Sequence, residues 1–428
     1  MLPPELWDRT LDFLFDDQVA LRTCAVVCRN WTPTCIYHIF SELVIVPDHT
    51  DAPGLHTPAL SYSRLSALAV ENPGLLRHVR DFSTSQCTNA LNIQVLDTLA
   101  VPNTHLHTLH IDAQPDVFCE APMSVNLGQL FPHLRTLVLQ NVLFDSLAVF
   151  TAQLPLLRSL KTLELRHVMF SDPHAPLDAE ASLPSGDYEP GAADTCAVSL
   201  AMSNWAPETS LAAFWPWLSV ASPHFQIVSL DLAGVRVLDD GSIDELLGAL
   251  LTTHSPWLKN LTLGLRDRGG EHARVLPLEL AQCTALEHLK IVATTPCLAA
   301  EEAADLQIEP TSLVSVSPII PATGALAMPG PSPALRCLVG TVADRIGPVV
   351  RAGSLRSFNL RLRGVRCTND FAWDALAALP WSAVPACMCG VGLEFQEDAG
   401  TGISPLQDQR AVLDVLRASM GHLRLDVA

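Results

Sequence analysis

Leu134-Arg135-Thr136-Leu137-Val138-Leu139 is the stretch on which the fold turns. Leu137 and Leu139 share one side of an extended strand, because successive side chains on a strand point to opposite faces. One such match is weak, since many strands read this way. The pattern recurs, however, as Leu106, Leu109, Ile111, then Leu160, Leu163, Leu165, then Ile227, Leu230, Leu232. It returns as Leu258, Leu261, Leu263 and as Leu286, Leu289, Ile291. Weaker copies are Leu335 with Leu338, Leu355 with Phe358 and Leu360, Met388 with Val391 and Leu393, and Met420 with Leu423 and Leu425.

Adjacent copies step by 26 to 33 residues at their middle position (109 to 137 to 163; 230 to 261 to 289; 358 to 391 to 423). That is the leucine-rich-repeat period or slightly above it. A strand with alternating leucines hides one side only, so parallel stacking of one strand per repeat buries a continuous ladder. The chain returns along the other side, and helical patterns stand where the return is needed. Ser242-Ile243-Asp244-Glu245 is a capping box before Leu246, Leu247, Leu250 and Leu251. Further helices read from Asn369 to Leu379 and from Ser404-Pro405 through Leu416. Asn141 follows its strand as repeat asparagines do, but no ladder of such residues accompanies it. The expected class is α/β: an irregular solenoid of short parallel strands alternating with helices over residues 46–428.

Two stretches break the rhythm, 171–197 and 294–333. Both are rich in Pro, and no Lys or Arg occurs between Arg166 and Arg236. Both read as exposed, poorly ordered loops. Trp205, Phe214, Trp215 and Trp217 follow the first, as a recognition surface or as core where the repeats resume.

The chain has 428 residues, of which 49% are hydrophobic, so it can bury a large core. Lys and Arg number 26 against 45 Asp and Glu, a formal charge of −19. That charge argues against nucleic acid held through phosphates and against an anionic membrane surface. The uncharged run Thr311–Leu335 is broken by five prolines and reads as a loop rather than a span. No basic start followed by an apolar run marks a leader, and the twelve cysteines show no framework spacing. These features point to the cytoplasm or nucleus.

The first forty-five residues read differently, as three short helices. Leu2-Pro3-Pro4 opens the first, with Leu6, Thr10, Phe13 and Leu14 at helical spacing. Asp16-Asp17 makes a turn and an acidic start for the second, which carries Leu21, Cys24, Ala25 and Cys28 on one stripe. Thr32-Pro33-Thr34 opens the third, with Ile36, Ile39, Phe40 and Leu43 on its face. Ser41–Val46 also reads as a strand, with Leu43 and Ile45 alternating. A helix carrying Leu65 and Leu68 then precedes Asn72-Pro73. So small a helical unit cannot hide Leu2, Leu6, Leu14, Val26, Val27 and Trp31 together. Some of them face another surface, either the following domain or a partner.

The combination Leu2-Pro3-x-Glu5-Leu6, Leu14, Leu21, Val26-Val27-Cys28-Arg29 and Trp31 resembles the F-box, and Tyr37-His38-Ile39-Phe40 is similar to fungal members of that family. The segment after residue 62 also resembles basidiomycete F-box proteins. Thr10 departs from the pattern, which has isoleucine there. The resemblance implies an F-box over residues 1–45 that docks a Skp-family adaptor and, through it, a cullin of an SCF-type ubiquitin ligase. Leu2, Pro3, Leu6, Leu14, Leu21, Val26, Val27 and Trp31 would make that contact. The repeats would bind a target protein. A non-degradative interaction scaffold is the alternative.

No catalytic constellation stands out. The chain lacks a Gly-x-Ser-x-Gly elbow and a phosphate-binding loop. Cys387-Met388-Cys389 lacks zinc spacing. His105 and His107 share a face of one strand from which His110 points away, as expected of a polar surface. No enzyme activity, cofactor or metal is expected.

Overall fold

The computed structural model describes residues 4–48, 59–100, 105–114, 122–172, 196–203, 214, 217–218, 225–234, 242–266, 280, 282–294, 347, 349–350, 355–363, 378, 390–396 and 424–427. The class is α/β, with a long parallel sheet and helices alternating along the chain. The chain divides into two compact units, Met1–Ser229 with Gly234–Leu246, and Leu230–Ala233 with Leu247–Ala428.

The first unit opens with α1 (Pro4–Asp12), α2 (Gln18–Val27) and α3 (Thr32–Ser41). Strand β1 (Glu42–Val46) follows without a gap, then β2 (Ala59–Ser61), α4 (Tyr62–Glu71), α5 (Pro73–Leu76), β3 (Asp81–Cys87), α6 (Asn89–Ala100) and β4 (Thr108–Ala113). Next come α7 (Leu127–Leu130), β5 (Thr136–Gln140), β6 (Leu143–Ser146), α8 (Leu147–Gln153), β7 (Thr162–Arg166), β8 (Met169–Asp172) and β9 (Cys196–Ser203). The main sheet of this unit runs β2-β1-β3-β4-β5-β7-β9, and every pair is parallel. Strands β6 and β8 form a second, two-stranded parallel sheet.

Register explains why the repeated leucines matter. Phe82, Leu109, Leu137, Leu163 and Leu200 lie side by side in one buried row. Thr84, Ile111, Leu139, Leu165 and Met202 make the next. Leu106, Leu134 and Leu160 are buried just ahead of their strands. Each buried Leu, Ile, Phe or Met in these rows contributes about 1.5–3 kcal/mol by leaving water. Phe144, Phe150, Phe170, Phe214 and Trp217 add an aromatic cluster, with ring centroids 5.0 Å apart for Phe144 and Phe150 and 5.8 Å for Phe214 and Trp217. Phe214 and Trp217 are buried, so the core reading holds for these two, while Trp205 and Trp215 lie outside the described residues.

Several expectations need correction. Leu43 belongs to β1 and not to the third helix. That strand buries Leu43, Val44, Ile45 and Val46 alike rather than alternating, with α3 and α4 both packed against it. The stretch 171–197 is shorter than it reads, since Ser171 and Asp172 close β8 while Cys196 and Ala197 open β9. Residues 173–195 lie outside the described residues.

Strand β10 (Phe225–Gly234) and helix α9 (Ser242–His254) span the division between the units. The second unit contains β11 (Asn260–Arg266), β12 (His288–Thr294), β13 (Ser357–Arg363), β14 (Gly390–Gln396) and β15 (Arg424–Val427), paired in parallel in that order. Leu261, Leu289, Phe358, Val391 and Leu425 share one register position. The last pairing differs from the sequence reading, because Val391 aligns with Leu425 and not with Leu423. Thr294 ends β12. The rest of 294–333, the copy at Leu335 and Leu338, and the helices read at 404–416 and, but for one turn residue, at 369–379 lie outside the described residues.

His254, at the end of α9, is 1% exposed, and neither ring nitrogen meets a protein partner. Burial pushes its pKa down to about 4. The unfolded chain therefore binds a proton that the folded chain refuses. The stability this neutral imidazole sustains is complete above about pH 6.5 and is lost as pH falls toward 4, about 3 kcal/mol in all. Denaturant midpoints at pH 7 and pH 4.5 should converge in His254→Leu relative to the native chain. An unchanged acid loss in that variant would place the sensitivity elsewhere.

Candidate docking surface on the N-terminal helices

Helices α1–α3 share a small core of Leu11, Leu21 and Cys35, with Leu14, Cys24, Ala25, Trp31 and Ile39 packed around it. Trp31 packs against Trp7 with ring centroids 4.9 Å apart and the rings tilted by 44°. Asp17 caps α2, accepting from the N–H groups of Val19 and Ala20 at 3.1 and 2.9 Å. Thr34 donates to Asp8 at 2.7 Å, and His38 meets Asp12 at 2.8 Å, so polar contacts tie α3 to α1. The helices join the sheet through Arg80, whose N–H donates to the Ser41 carbonyl and whose guanidinium lies 5.0 Å from the Tyr37 ring centre.

This packing leaves apolar groups uncovered. Val26 is 88% exposed, Val27 70% and Phe13 84%. Leu6, Phe15 and Val19 are exposed as well. Among the described residues only Val70, Val149 and Trp257 are large apolar groups exposed elsewhere. Helix α1 and the turn after it carry two stripes one residue apart. Trp7, Leu11 and Leu14 face the core, and Leu6, Thr10 and Phe13 face out. The stripe read from the sequence is thus the outer one, apart from Leu14. Thr10 lies on it, and its hydroxyl donates back to the Leu6 carbonyl at 2.8 Å. On α2, Leu21, Cys24 and Ala25 turn inward, whereas Val19 and Val26, seven residues apart, turn outward.

The eight candidate contact residues therefore separate. Leu6, Val26 and Val27 are open to a partner. Leu14 and Trp31 are half-buried and shared between core and surface. Leu21 is fully buried, so it holds the helices together and cannot touch a partner. Leu2 and Pro3 lie outside the described residues. Phe13, Phe15 and Val19 are exposed on this face but lie outside that set. The seven-residue step from Val19 to Val26 was the signal available for one of them, and Phe15 sits in a turn where periodicity says nothing.

Among the described residues no group of three His, Cys, Asp or Glu side chains is arranged to hold a metal. Burial raises the Cys35 thiol, pushes Cys87 up to about 11 and pushes Cys283 up to about 12, so these three are protonated at neutral pH. Cys387–Cys389 lie outside the described residues. No helix among the described residues is long and apolar enough to cross a membrane. No family model matches the chain, and a search of curated proteins finds no matching relative.

Proposed function

We propose that this chain is a substrate-receptor subunit of an SCF-type cullin–RING ubiquitin ligase, working in the cytoplasm or nucleus. Residues 1–45 act as an F-box that binds a Skp-family adaptor, and the leucine-rich-repeat sheet binds the protein to be modified. The observation that carries the reading is the uncovered apolar surface of α1 and α2, concentrated where the F-box resemblance lies. Contiguous apolar surface on a soluble domain marks an interaction site, and helix-borne aliphatic anchors with few charges suit a helix-against-helix interface. The chain itself needs no catalytic residue and no cofactor.

Capture of the purified full chain by a fungal Skp-type adaptor tests this. Binding at micromolar concentration, with the cullin joining through the adaptor, is expected. A folded chain that ignores the adaptor at that concentration overturns the reading. Adaptor binding without target accumulation on removal of the chain would leave a non-degradative scaffold.

A further inference from the structure

The residues that precede β3, β4, β5 and β7 form a column of their own. The His107 N–H donates to the Arg80 carbonyl at 2.8 Å, that of Arg135 to His107 at 2.7 Å, and that of Lys161 to Arg135 at 2.7 Å. Arg80, His107, Arg135 and Lys161 therefore stand on consecutive strands, about 4.8 Å apart. The Arg and Lys side chains are exposed and His107 is half-buried. Burial, together with the charges of Arg135 and Arg80, lowers the His107 pKa, so the ring stays neutral between two guanidinium groups.

The same column exists in the second unit with opposite electrostatics. There Lys259, Glu287 and Arg356 are linked by the same backbone bonds. Glu287 sits 3.5 Å from Lys259 and 3.2 Å from Arg356, so the signs alternate and each cation has a carboxylate beside it. In the first unit, Arg135 and Lys161 have no acidic partner within 4.0 Å among the described residues. Glu42 and Asp81 begin the adjacent outward column, near Arg80, but beside His107, Arg135 and Lys161 that column continues as Thr108, Thr136 and Thr162. Stacking like charges across strands is destabilising. Here it occurs in a chain whose formal charge is −19, in a column that in the second unit alternates in sign.

We infer that this edge is a docking surface for an acidic segment of a partner protein, with Arg135 and Lys161 at its centre. It rests on the repeats being the target-binding part of the proposed receptor. Arginine takes a carboxylate in a two-point fork, and lysine supplies a point charge. Screening within about 8 Å keeps the attraction local, so a short acidic segment gains these contacts while a long polyanion meets the negative remainder of the chain.

Fluorescence anisotropy of the full chain with a labelled oligo-glutamate peptide tests the inference. Binding that weakens with salt is expected, and the exposed double variant R135E/K161E should weaken it about tenfold or more. Lys259→Glu, in the compensated column, should change it little, and thermal unfolding should confirm that both variants fold. No peptide binding by the folded chain, equal binding by R135E/K161E, or displacement by oligothymidylate at equal charge would each overturn the inference. Adaptor capture is read in the same preparations. Lost peptide binding with intact adaptor capture sinks this inference alone, and the reverse pattern sinks the proposed adaptor contact alone.

Discussion

The double variant Val26→Glu/Val27→Glu should lose adaptor capture and keep its fold. Both side chains are mostly in water already, at 88% and 70% exposure, so the native state gives up little apolar burial. Glutamate suits a helix better than valine does, but in the last turn of α2 two carboxylates oppose the helix dipole, so the expected stability loss is about 1 kcal/mol. In a helix-packed interface the same carboxylates would be stripped of water without a partner. An unpaired buried charge costs several kcal/mol, so affinity should fall about a hundredfold or more. Calorimetric titration with the adaptor, beside a thermal melt, reads both quantities. Unchanged affinity in the folded variant would mean that α2 does not face the adaptor, and the proposed docking surface would have to move to α1 or be abandoned.

The strand ladder was legible because its signal is redundant. Leu109, Leu137 and Leu163 sit at one register position, and each is announced by a leucine three residues earlier. Strands β3 and β9 escaped the pattern for specific reasons. In β3 the second ladder position is Thr84, a polar residue that is nonetheless buried. Strand β9 offers Val198, Leu200 and Met202, but it emerges directly from a Pro-rich acidic stretch that reads as loop. The register of β15 was ambiguous in principle. Leu423, Leu425 and Val427 alternate, and a shift of two residues leaves every side chain on the same face, so patterning cannot choose.

The helices show the converse limit. Periodicity finds apolar stripes, but it does not say which one is turned inward when a helix carries two. In α1 the stripes through Leu6 and through Trp7 differ by one residue, about 100° of rotation. Only packing against α2 and α3 separates them. The same ambiguity put Leu21 among the contact residues, since an apolar residue in a docking motif looks alike whether it supports the motif or touches the partner. The charge column at Arg80, His107, Arg135 and Lys161 was half legible. Arg135 and Lys161 stood between ladder leucines, but their alignment across repeats appears only once the strands are in register.

Leu21→Ala separates support from contact. Leu21 is fully buried in a core whose other fully enclosed members are Leu11 and Cys35. Truncation leaves a cavity that three short helices joined by tight turns have little means of closing, so the expected cost is about 3 kcal/mol. A helical unit of this size has little stability to spare, and local unfolding of α1–α3 should appear as faster amide exchange there, while β4, β5 and β7 keep their protection. Adaptor capture should weaken in proportion to the unfolded fraction and recover when the temperature is lowered or a stabilising osmolyte is added. Val26→Glu/Val27→Glu should show no such recovery, because its defect lies in the bound state. If Leu21→Ala instead melted like the native chain and still lost the adaptor beyond rescue, Leu21 would be a contact residue after all, and the helices would have to rearrange on binding to expose it.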